Sequence, residues 1–585
     1  MAVAPVAASG ERIDLNTDFN LRWLGAANQF VGISAASNAG DVNGDGVPDA
    51  LVVNPGGPGS VTAFYVTYGQ RPAFRKSIAL SRLNAQQGYV VRSPAAGPTP
   101  VAANAGDVNG DGVPDALMGV PPDASGGPGA VYLVYGQRTA LPQPLDLSHL
   151  TPSQGYRIDG TSTDGVGGAA ASAGDVNGDG VPDALIGSPG LNGSAGGAWI
   201  VYGQRTGMPT TIDLSKLTPT QGYRINGAPG DEAGSTVANA GDVNRDGVPD
   251  ALIGAIAASY GAQDAGSAYL VYGQRSANPQ PINLANLGAG GYRLDGHLAF
   301  GDAGGSVANA GDVNHDGTPD ALVGRPGTSS ELHGGVFVVY GRRTPPGAPI
   351  NLDRLSRGQG YAIGDSRSGS QAGYSVADAG DVNRDGVPDA LIGAPGFTST
   401  LDAAAYVVYG QRGPAPARVN LARLPPPSGY AIGGVPGAMI ASHVDDAGDV
   451  DGDHHPDALV AAPAYSPSAK NVGVAWVVPA LAPAATSVDT LAPAKRGVVA
   501  VHVVCAAAGR RCHGTLTLTW KNRRLGARDY SIAANRSAVV RVALSGAARA
   551  LLDRAGALSG VATTSTSRPF GPRLVRSRPL SLRHA

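Results

Sequence analysis

Two observations predict an all-β chain organised as a seven-bladed β-propeller followed by a small β-sandwich-like domain. An Asp-rich motif, typified by AGDVNGDGVPDAL, returns seven times at intervals of 66 to 70 residues, with its first aspartate at Asp41, Asp107, Asp175, Asp242, Asp312, Asp381 and Asp449. Each interval also holds four short runs of β-branched, aliphatic or aromatic residues bounded by Gly, Pro, Asn and Asp, a pattern typical of strands. Four strands in each of seven units predict a propeller with four-stranded blades.

The third repeat shows where the strands fall. One strand precedes the Asp-rich motif, and a second follows it at Ala184–Gly187. A third ends in the tetrad Tyr202–Arg205, and a fourth is predicted at Gly222–Ile225. An Ile-Asp-Leu segment at Ile212–Leu214 lies between the last two.

The two ends of the repeat region predict a closed ring. Strands of the Gly-Tyr-x-Ile type follow copies one to six, at Tyr89, Tyr156, Tyr223, Tyr292, Tyr361 and Tyr430. After copy seven, Trp476–Pro479 runs directly into an Ala/Pro stretch, whereas Ile13–Leu15 and Leu21–Gly25 stand before copy one with the missing pattern. We therefore expect an N-terminal strand to complete the last blade and remove the open edges. A solenoid, the rival repeat fold, would need distinct capping repeats at both ends.

Each Asp-rich motif is a predicted calcium loop. In the first copy, oxygen-bearing side chains stand at positions 1, 3, 5 and 9, and position 6 is Gly46, the residue that most readily adopts a left-handed turn. Position 7 can add a backbone carbonyl. Hard oxygen donors with three carboxylates favour Ca²⁺ over Mg²⁺, which demands stricter octahedral geometry. We expect up to seven calcium ions.

The predicted ligands at positions 1, 3, 5, 7 and 9 of the seven loops are Asp41, Asn43, Asp45, Val47, Asp49, Asp107, Asn109, Asp111, Val113, Asp115, Asp175, Asn177, Asp179, Val181, Asp183, Asp242, Asn244, Asp246, Val248, Asp250, Asp312, Asn314, Asp316, Thr318, Asp320, Asp381, Asn383, Asp385, Val387, Asp389, Asp449, Asp451, Asp453, His455 and Asp457. The alternative is that these residues only form turns. An EF-hand is excluded because position 12 is a strand residue such as Val52 instead of a bidentate Glu.

The seventh loop departs from the others. Asp451 adds a fourth carboxylate, which strengthens the attraction for a cation. His454 stands where the turn favours Gly and is expected to strain or weaken the loop. We interpret His454 and His455 as solvated loop residues, with transition-metal ligation as the alternative.

The loops concentrate charge. They hold three aspartates in each of six copies and four in the seventh, 22 of the chain's 45 acidic residues. Seven calcium ions would carry the formal charge from −2 to about +12. We expect chelation to destabilise the propeller and calcium to strengthen its attraction to acidic polymers.

At these motifs the chain resembles the FG-GAP repeat family, the β-propeller of integrin α-subunits and its bacterial relatives. The fullest match is Gly380–Asp389 followed by Gly393–Gly396, and the resemblance covers about residues 11–480. It implies calcium between the first two strands of each blade, on one face of the disc, with partners usually on the opposite face. Integrin α-subunits carry calcium in only some blades, and the even spacing here leaves no room for an inserted von Willebrand-type domain, so integrin-like partner recognition does not transfer.

The predicted domains follow composition. They are a disordered end or export-signal remnant at residues 1–10, the propeller at 11–480, an Ala/Pro linker at 481–497 and a small Ig-like β-sandwich at 498–585. Strands are expected at 498–504, 514–520, 538–544 and 558–564, with a short helical turn near 547–555. The last domain is Arg-rich, which is interpreted as a solvated face or as a contact for an acidic polymer.

Cys505 and Cys512 are the only cysteines. In an exported protein this close pair predicts a disulfide that staples one hairpin; the alternative is two reduced thiols. No further Cys or His cluster completes a zinc site.

Function is predicted to be binding rather than catalysis. The sequence contains no Gly-x-Ser-x-Gly, His-Glu-x-x-His or phosphate-binding loop. The formal charge of −2 argues against nucleic acid, and no apolar run reaches the length of a membrane helix. We expect a secreted or cell-surface adhesion module, monomeric, that recognises a protein or an acidic polysaccharide. The alternatives are an envelope scaffold and a propeller associated with a carbohydrate- or lipid-active hydrolase, as in the family's phospholipase D members.

A ligand face is expected at the irregular turns between the second and third strands. The least repetitive residues there are Tyr260, Asp264, Arg325, Glu331 and His333, together with the segment Phe397–Asp402.

Overall fold

The computed structural model describes residues 12–583 except residues 17–18, 27–28, 33–35, 57–60, 72–75, 96, 123–126, 139–143, 206–208, 328–332, 397–402, 412–417, 426–427, 434, 436, 467–471, 481–487, 492–497, 506–511, 522, 533–535, 556 and 568–573. The chain divides into two compact units, one of Met1–Gly452 and Pro456–Pro479, the other of Asp453–His455 and Ala480–Ala585. The predicted N-terminal segment 1–10 lies outside the described residues, as does most of the predicted linker.

Seven sheets form the first unit, and the four antiparallel strands of each are labelled a to d from the inside of the ring. The a-strands, which contact one another around the centre, are Ala36–Gly40, Val101–Gly106, Ala170–Gly174, Ala233–Gly241, Ser306–Gly311, Ser375–Gly380 and His443–Gly448. The b-strands are Asp49–Asn54, Asp115–Val120, Asp183–Gly187, Asp250–Ala255, Asp320–Arg325, Asp389–Ala394 and Asp457–Ala462. The predicted seven-bladed β-propeller is confirmed.

The outer strands complete each blade. The c-strands are Ala63–Thr67, Ala130–Val134, Gly197–Val201, Ser267–Val271, Gly335–Val339, Ala404–Val408 and Val474–Val478. The d-strands of blades 1 to 7 are Gly88–Arg92, Gly155–Asp159, Gly222–Asn226, Gly291–Asp295, Gly360–Gly364, Gly429–Gly433 and Leu21–Leu24. The b- and c-strands are buried along almost their whole length, which explains why they read as continuous apolar runs.

The ring closes as predicted, through the N-terminus. Leu21–Leu24 pairs antiparallel with Val474–Val478, with Leu21 opposite Val477. Leu21 and Trp23 are each 1% exposed and join a core cluster with residues of blades 7 and 1, including Leu459 and Val52. Burying these side chains is the main gain from closure, because apolar area removed from water contributes roughly 25 cal/mol per Å².

A fifth strand on every blade was not predicted. The Ile-Asp-Leu segment before each d-strand pairs in parallel with the d-strand of the preceding blade, as Thr211–Asp213 does with Gly155–Asp159. The added strands of blades 1 to 7 are Leu145–Asp146, Thr211–Asp213, Ile282–Asn283, Ile350–Asn351, Arg418–Asn420, Arg12–Asp14 and Lys76–Ala79. Each blade is therefore linked to its neighbour by backbone hydrogen bonds as well as by apolar packing.

Short helical turns follow six of these added strands. The 3₁₀ turns are Leu80–Arg82, Leu147–His149, Leu214–Lys216, Leu284–Asn286, Leu352–Arg354 and Leu421–Arg423. Each buries its first leucine against the blades. A four-residue helix, Leu191–Ser194, lies between strands b and c of blade 3.

Glycine and proline join neighbouring blades at the inner ring. Gly40 has φ 72°, and a Cβ on it would lie 2.8 Å from Cγ of Pro114 in the next blade. Only a residue without a side chain allows this approach. The same contact runs around the ring between Gly106 and Pro182, Gly174 and Pro249, Gly241 and Pro319, Gly311 and Pro388, Gly380 and Pro456, and finally Gly448 and Pro48.

The second unit contains two sheets. One consists of Val488–Leu491, Val498–Cys505 and Arg536–Ala543, and the other of Arg523–Ile532, Cys512–Trp520, Ala557–Ser567 and Leu574–Arg583. A shared core that includes Val501 and Leu518 lies between them, and the helix Gly546–Ala555 packs on it through Leu552. The two-sheet arrangement is that of a small sandwich. Val488–Leu491 is a strand where the sequence predicts linker, because its aliphatic residues pair with Val498–Cys505.

Candidate metal centres

The seven Asp-rich loops lie on one face of the propeller. Each loop joins the end of an a-strand to the start of a b-strand, so all seven emerge at the same end of their sheets. We call this side the loop face. The connections from b to c and from d to the next a-strand emerge on the other side, which we call the far face.

Within a loop, the side chains at positions 1 and 3 converge on one backbone group. The N–H of Asp45 donates to Oδ1 of Asp41 at 2.9 Å and to Oδ1 of Asn43 at 2.8 Å. The same pair of bonds, at 2.8 to 3.1 Å, reaches the N–H of Asp111, Asp179, Asp246, Asp316 and Asp385. Two oxygens bound to one hydrogen must lie close together, so six loops preassemble part of a donor cluster.

Position 5 closes the turn. In loop 1 the N–H of Val47 donates to Oδ1 of Asp45 at 2.9 Å, and the N–H of Gly46 donates to Oδ2 of Asp41 at 2.7 Å. The side chains at position 7 are buried, at 8% exposure or less in all seven loops. Any contribution of position 7 to a metal site would therefore come from its backbone carbonyl, as the sequence predicts.

Two positions in the loop adopt left-handed backbone. At position 6 the six glycines have φ of 80 to 84°, and His454 has φ 67° in the seventh loop. Position 4 is left-handed as well, including the non-glycine residues Arg245, His315 and Arg384 at 58 to 61°. Non-glycine residues pay roughly 1–2 kcal/mol for this conformation. Sequence reasoning identified the strain at His454 and missed it at position 4.

The aspartate at position 9 has a second, structural role that the sequence did not indicate. Asp49 is 2% exposed; its Oδ2 accepts from the N–H of Val42 at 2.9 Å and its Oδ1 from the N–H of Gly69 at 2.8 Å. One carboxylate thus joins the loop to the end of the c-strand. Five other blades repeat both bonds, through Asp115, Asp183, Asp250, Asp320 and Asp389.

Burial makes these carboxylates hard to ionise. Desolvation raises the pKa to about 8 for Asp49, Asp115, Asp320 and Asp389, and to about 7 for Asp183 and Asp250. The backbone N–H groups oppose the shift, and the aspartates at positions 1 and 5 add to it in loop 1. A cation held by the loop would favour the ionised form.

The seventh loop brings three carboxylates together. Ligand oxygens of Asp449, Asp451 and Asp453 lie within 4.8 Å of one another. The buried amide of Asn20, which precedes the closing strand, donates to Oδ2 of Asp451 at 3.2 Å and to Oδ2 of Asp457 at 3.4 Å. The N-terminal segment thereby contacts the seventh loop directly. The solvated interpretation of His455 is wrong, since its side chain is 2% exposed because position 7 packs inward; His454 is exposed.

The donor set fits a calcium ion. Carboxylate and amide oxygens at positions 1, 3, 5 and 9, with a carbonyl at 7, are the hard oxygen ligands that Ca²⁺ takes. Asp41, Asn43, Asp45 and Asp49 are the side chains that would hold the ion in loop 1.

Arginines of the Tyr-Gly-Gln-Arg tetrad brace the loops. Nη2 of Arg138 donates to the carbonyl of Gly112 at 3.2 Å, within the same blade. At the closure, Nη2 of Arg71 donates to the carbonyl of Asp449 at 2.7 Å and so joins blade 1 to the seventh loop. The tyrosine of each tetrad meets the d-strand tyrosine edge-on, with ring centroids 6.3 Å apart for Tyr68 and Tyr89. The recurrence of the Tyr-Gly-Gln-Arg tetrad in the sequence could have indicated this structural role, which was not predicted from it.

The residues predicted to form a ligand face differ in exposure and contacts. Tyr260 is 42% exposed on the far face, and its hydroxyl donates to Asp231 at 2.9 Å. Asp264 is half-buried beside Asp302, whose pKa rises to about 6 through burial and the neighbouring charge. His333 is exposed. Glu331 and the segment 397–402 lie outside the described residues.

The prediction that Arg325 lies in an irregular turn of the ligand face is wrong. Arg325 is the last residue of a b-strand and 8% exposed, because its guanidinium pairs with Asp353 and lies over the ring of Phe337. The predicted hairpin between Cys505 and Cys512 is also corrected, since the strands that contain them belong to different sheets. Their disulfide stays a prediction.

Among the described residues, no helix has the length and apolar character needed to cross a bilayer.

The seven-bladed ring and its repeated loops are similar to the FG-GAP, integrin α-like propellers. The family model for the FG-GAP repeat matches residues 167–201, which span the third loop and its flanking strands. The chain is 30% identical over 244 residues to integrin alpha pat-2 of Caenorhabditis briggsae, covering 39% of this chain and 18% of that protein. It is 28% identical over 291 residues to integrin alpha-5 of Xenopus laevis, covering 47% and 25%.

A second kind of relative is a phospholipase D. The chain is 28% identical over 256 residues to the phosphatidylinositol-glycan-specific phospholipase D of Bos taurus, covering 42% of this chain and 28% of the relative. The matched part thus spans only 18 to 28% of the length of these three relatives.

Proposed function

We propose that this chain is a calcium-stabilised binding module of the cell surface or extracellular space, whose far face recognises a protein or an acidic polysaccharide. The observation that carries the proposal is where exposed apolar side chains lie. The propeller's described large hydrophobic residues with exposure of 42 to 46% are Val61, Tyr260, Phe300, Tyr374 and Met439.

All five of these residues stand in connections from b to c or from d to the next a-strand, and therefore on the far face. Among the described residues of the propeller, the exposed large apolar side chains thus lie on one face, which favours that face as the interaction surface. The loop face, in contrast, is occupied by carboxylates and by the arginines that brace them.

Calcium is proposed as the structural ion of the seven loops. Support comes from the preassembled oxygens at positions 1 and 3 and from the three-carboxylate cluster of Asp449, Asp451 and Asp453. An ion that binds only the folded chain stabilises it by mass action. This assigns the loops to stability and leaves recognition to the far face.

The relatives support the same assignment in part. Two of them are named as integrin alpha proteins, which favours adhesion at a surface. Another is named as a phospholipase D, and its matched part spans 28% of its length. We propose binding without catalysis for this chain. Turnover of a phosphatidylinositol-glycan or a polysaccharide by the calcium-loaded protein would contradict that.

The test compares the two faces. The calcium-loaded protein is applied to an array of matrix proteins and glycans. The variant with Tyr374→Asp and Met439→Asp places charge on the far face, and Met439 has φ 51°, which Asp tolerates. The control is Thr220→Asp, exposed beside the start of a d-strand on the loop face.

We expect the double variant to lose binding at least 10-fold and Thr220→Asp to bind as the parent does, because two charges disrupt an apolar contact. Equal losses for both variants would contradict a far-face site. An array on which the folded, calcium-loaded parent binds no partner would contradict the binding function itself.

A further inference from the structure

A cleft of about 240 Å³ opens at the boundary of blades 4 and 5. It is lined by the end of the b-strand at Arg325, by the 3₁₀ turn that contains Asp353 and Arg354, and by Gly364 and Arg418 at the ends of strand d and the added strand. Because Arg325 and Gly364 both mark the strand ends at the far face, the cleft belongs to that face.

The lining is strongly cationic. The charged residues of the lining are three arginines, Arg325, Arg354 and Arg418, and one aspartate, Asp353. Asp353 is engaged twice, by Nη1 of Arg325 and, at 2.9 Å, by the N–H of His297. The cleft therefore has a net positive charge that its own residues do not neutralise.

Arg325 holds an unsatisfied donor in the wall. Its side chain is 10% exposed, its Nη1 binds Asp353, and its guanidinium lies 5.0 Å from the centroid of Phe337. Its Nε is buried and has no hydrogen-bond partner among the described residues. Buried donors are nearly always paired in native proteins, so Arg325 is a residue whose hydrogen-bonding capacity the fold does not fully satisfy.

Arg325 and Asp353 depart from the residues at the equivalent positions of the other repeats. Positions equivalent to Arg325 at the end of the b-strand carry no charge: the residue is Asn54 in blade 1 and small or apolar elsewhere, as at Val120, Ala255 and Ala394. Positions equivalent to Asp353 carry Ser148 or Ala285. The other repeats fold without a buried arginine at this position, so the presence of both Arg325 and Asp353 favours a role in ligand binding.

We propose that this cleft binds the carboxylate or sulfate group of an acidic polysaccharide. Guanidinium forks match planar and tetrahedral oxyanions with paired hydrogen bonds. The cleft has a volume of about 240 Å³. That is room for one acid-bearing sugar ring, whereas drug-sized ligands take pockets of about 300–1,000 Å³. The proposal deepens the binding function above and rests on it.

The test uses the full chain with calcium and a sulfated, uronate-containing hexasaccharide, with binding followed by calorimetry at two salt concentrations. The key variant combines Arg354→Gln and Arg418→Gln. Its matched control is Arg423→Gln, the exposed arginine at the same position of the next 3₁₀ turn, away from the cleft. We expect at least a 10-fold loss for the double variant and less than a twofold change for the control.

A second variant separates the site from general charge. A Cβ on Gly364 would clash with Nη2 of Arg418, the mobile end of a long side chain, so Gly364→Ala displaces that guanidinium and leaves the net charge unchanged. We expect a severalfold loss of hexasaccharide binding with an unaltered unfolding temperature. Parent-like binding by both the Gly364 variant and the double variant would overturn the proposal.

Binding measurements with two further probes identify the class of ligand. A neutral hexasaccharide is expected not to bind. If an Asp/Glu-rich peptide binds through Arg354 and Arg418 and the hexasaccharide does not, the assignment to polysaccharide is wrong. If neither probe needs the cleft while the array partner still binds the far face, this inference fails and the proposed function stands.

Discussion

At the scale of single residues, the aspartate at position 9 is the most informative. It is expected as a metal ligand, and it also accepts two backbone N–H groups while almost fully buried. Ionising this carboxylate is costly in the folded chain, yet a bound cation would need it ionised. The stability of the fold should therefore depend on both pH and calcium.

The pKa shifts predict opposite pH trends with and without calcium. Because the folded-state pKa values of about 7 and 8 lie above the ordinary value of 3.8, these groups favour the fold fully below pH 4, and that contribution is lost as pH rises towards 8. In chelator, the unfolding temperature should therefore fall between pH 5 and pH 8. With excess calcium the stabilisation should grow over the same range, because the ion binds the carboxylate. Thermal melts at several pH values check both trends.

The same chelator series on Asp389→Asn provides the control. Removing one of the buried carboxylates should make the fall with pH shallower. A pH dependence equal to that of the parent would contradict the assignment of the trend to these groups.

Left-handed backbone predicts a specific glycine effect. Gly46 has φ 84°, and a Cβ added to it would meet no atom within 4 Å, so Gly46→Ala introduces strain without a clash. We expect a loss of about 1 kcal/mol in the free energy of unfolding, measured with denaturant in chelator. Gly358, equally open but not left-handed, is the control. Gly358→Ala should be neutral or slightly stabilising, and equal losses at both sites would contradict the strain argument.

At the scale of elements, the closing strand is the part on which the ring depends. Leu21–Leu24 supplies the missing d-strand of blade 7 and pairs in parallel with Lys76–Ala79 of blade 1. Asn20 adds hydrogen bonds to the seventh loop. Closure and the seventh candidate metal centre are thus joined by the same short segment.

Trp23→Ala should test that dependence. The side chain is 1% exposed between blades 7 and 1, and truncating a buried aromatic typically costs about 3–5 kcal/mol. We expect a fall of that order in the free energy of unfolding, measured by denaturant titration with calcium present. Tyr374→Ala, at 45% exposure, is the control and should change stability little. A small effect at Trp23 would mean that the ring is held mainly by its other contacts.

At the scale of the whole molecule, the proposed calcium ions would affect the stability of all seven blades together. Each ion would act on one blade, and the blades are coupled through the Gly–Pro contacts, the added strands and the apolar clusters between sheets. Chelation should lower the unfolding temperature of the propeller as a unit. A melt that is unchanged by chelator would contradict the proposed role of calcium.

Charge changes on the same scale. Filling all loops would shift the formal charge from −2 to about +12, so retention on an immobilised acidic polymer should rise with calcium and fall with salt. Column retention at fixed salt, with and without calcium, measures this. Retention that ignores calcium would indicate that the loops are filled only in part or that the charges are screened.

The sequence by itself determined the number of blades, the strands a to d and the closure. The blades, strands and closure follow from the local periodicity of the sequence and from turn residues that recur in every copy of the motif. The sequence also predicts the metal-ligand positions of the loops, since alternate residues in a tight turn point to one side.

Only the tertiary structure decided the features that depend on neighbours in space. The parallel strand at Thr211–Asp213 is too short to be recognised until its partner is known. The Gly40–Pro114 contact, the burial of Asp49 and Arg325, and the cationic cleft arise from residues that are far apart in the chain. Packing between blades, which no single repeat encodes, brings those residues together.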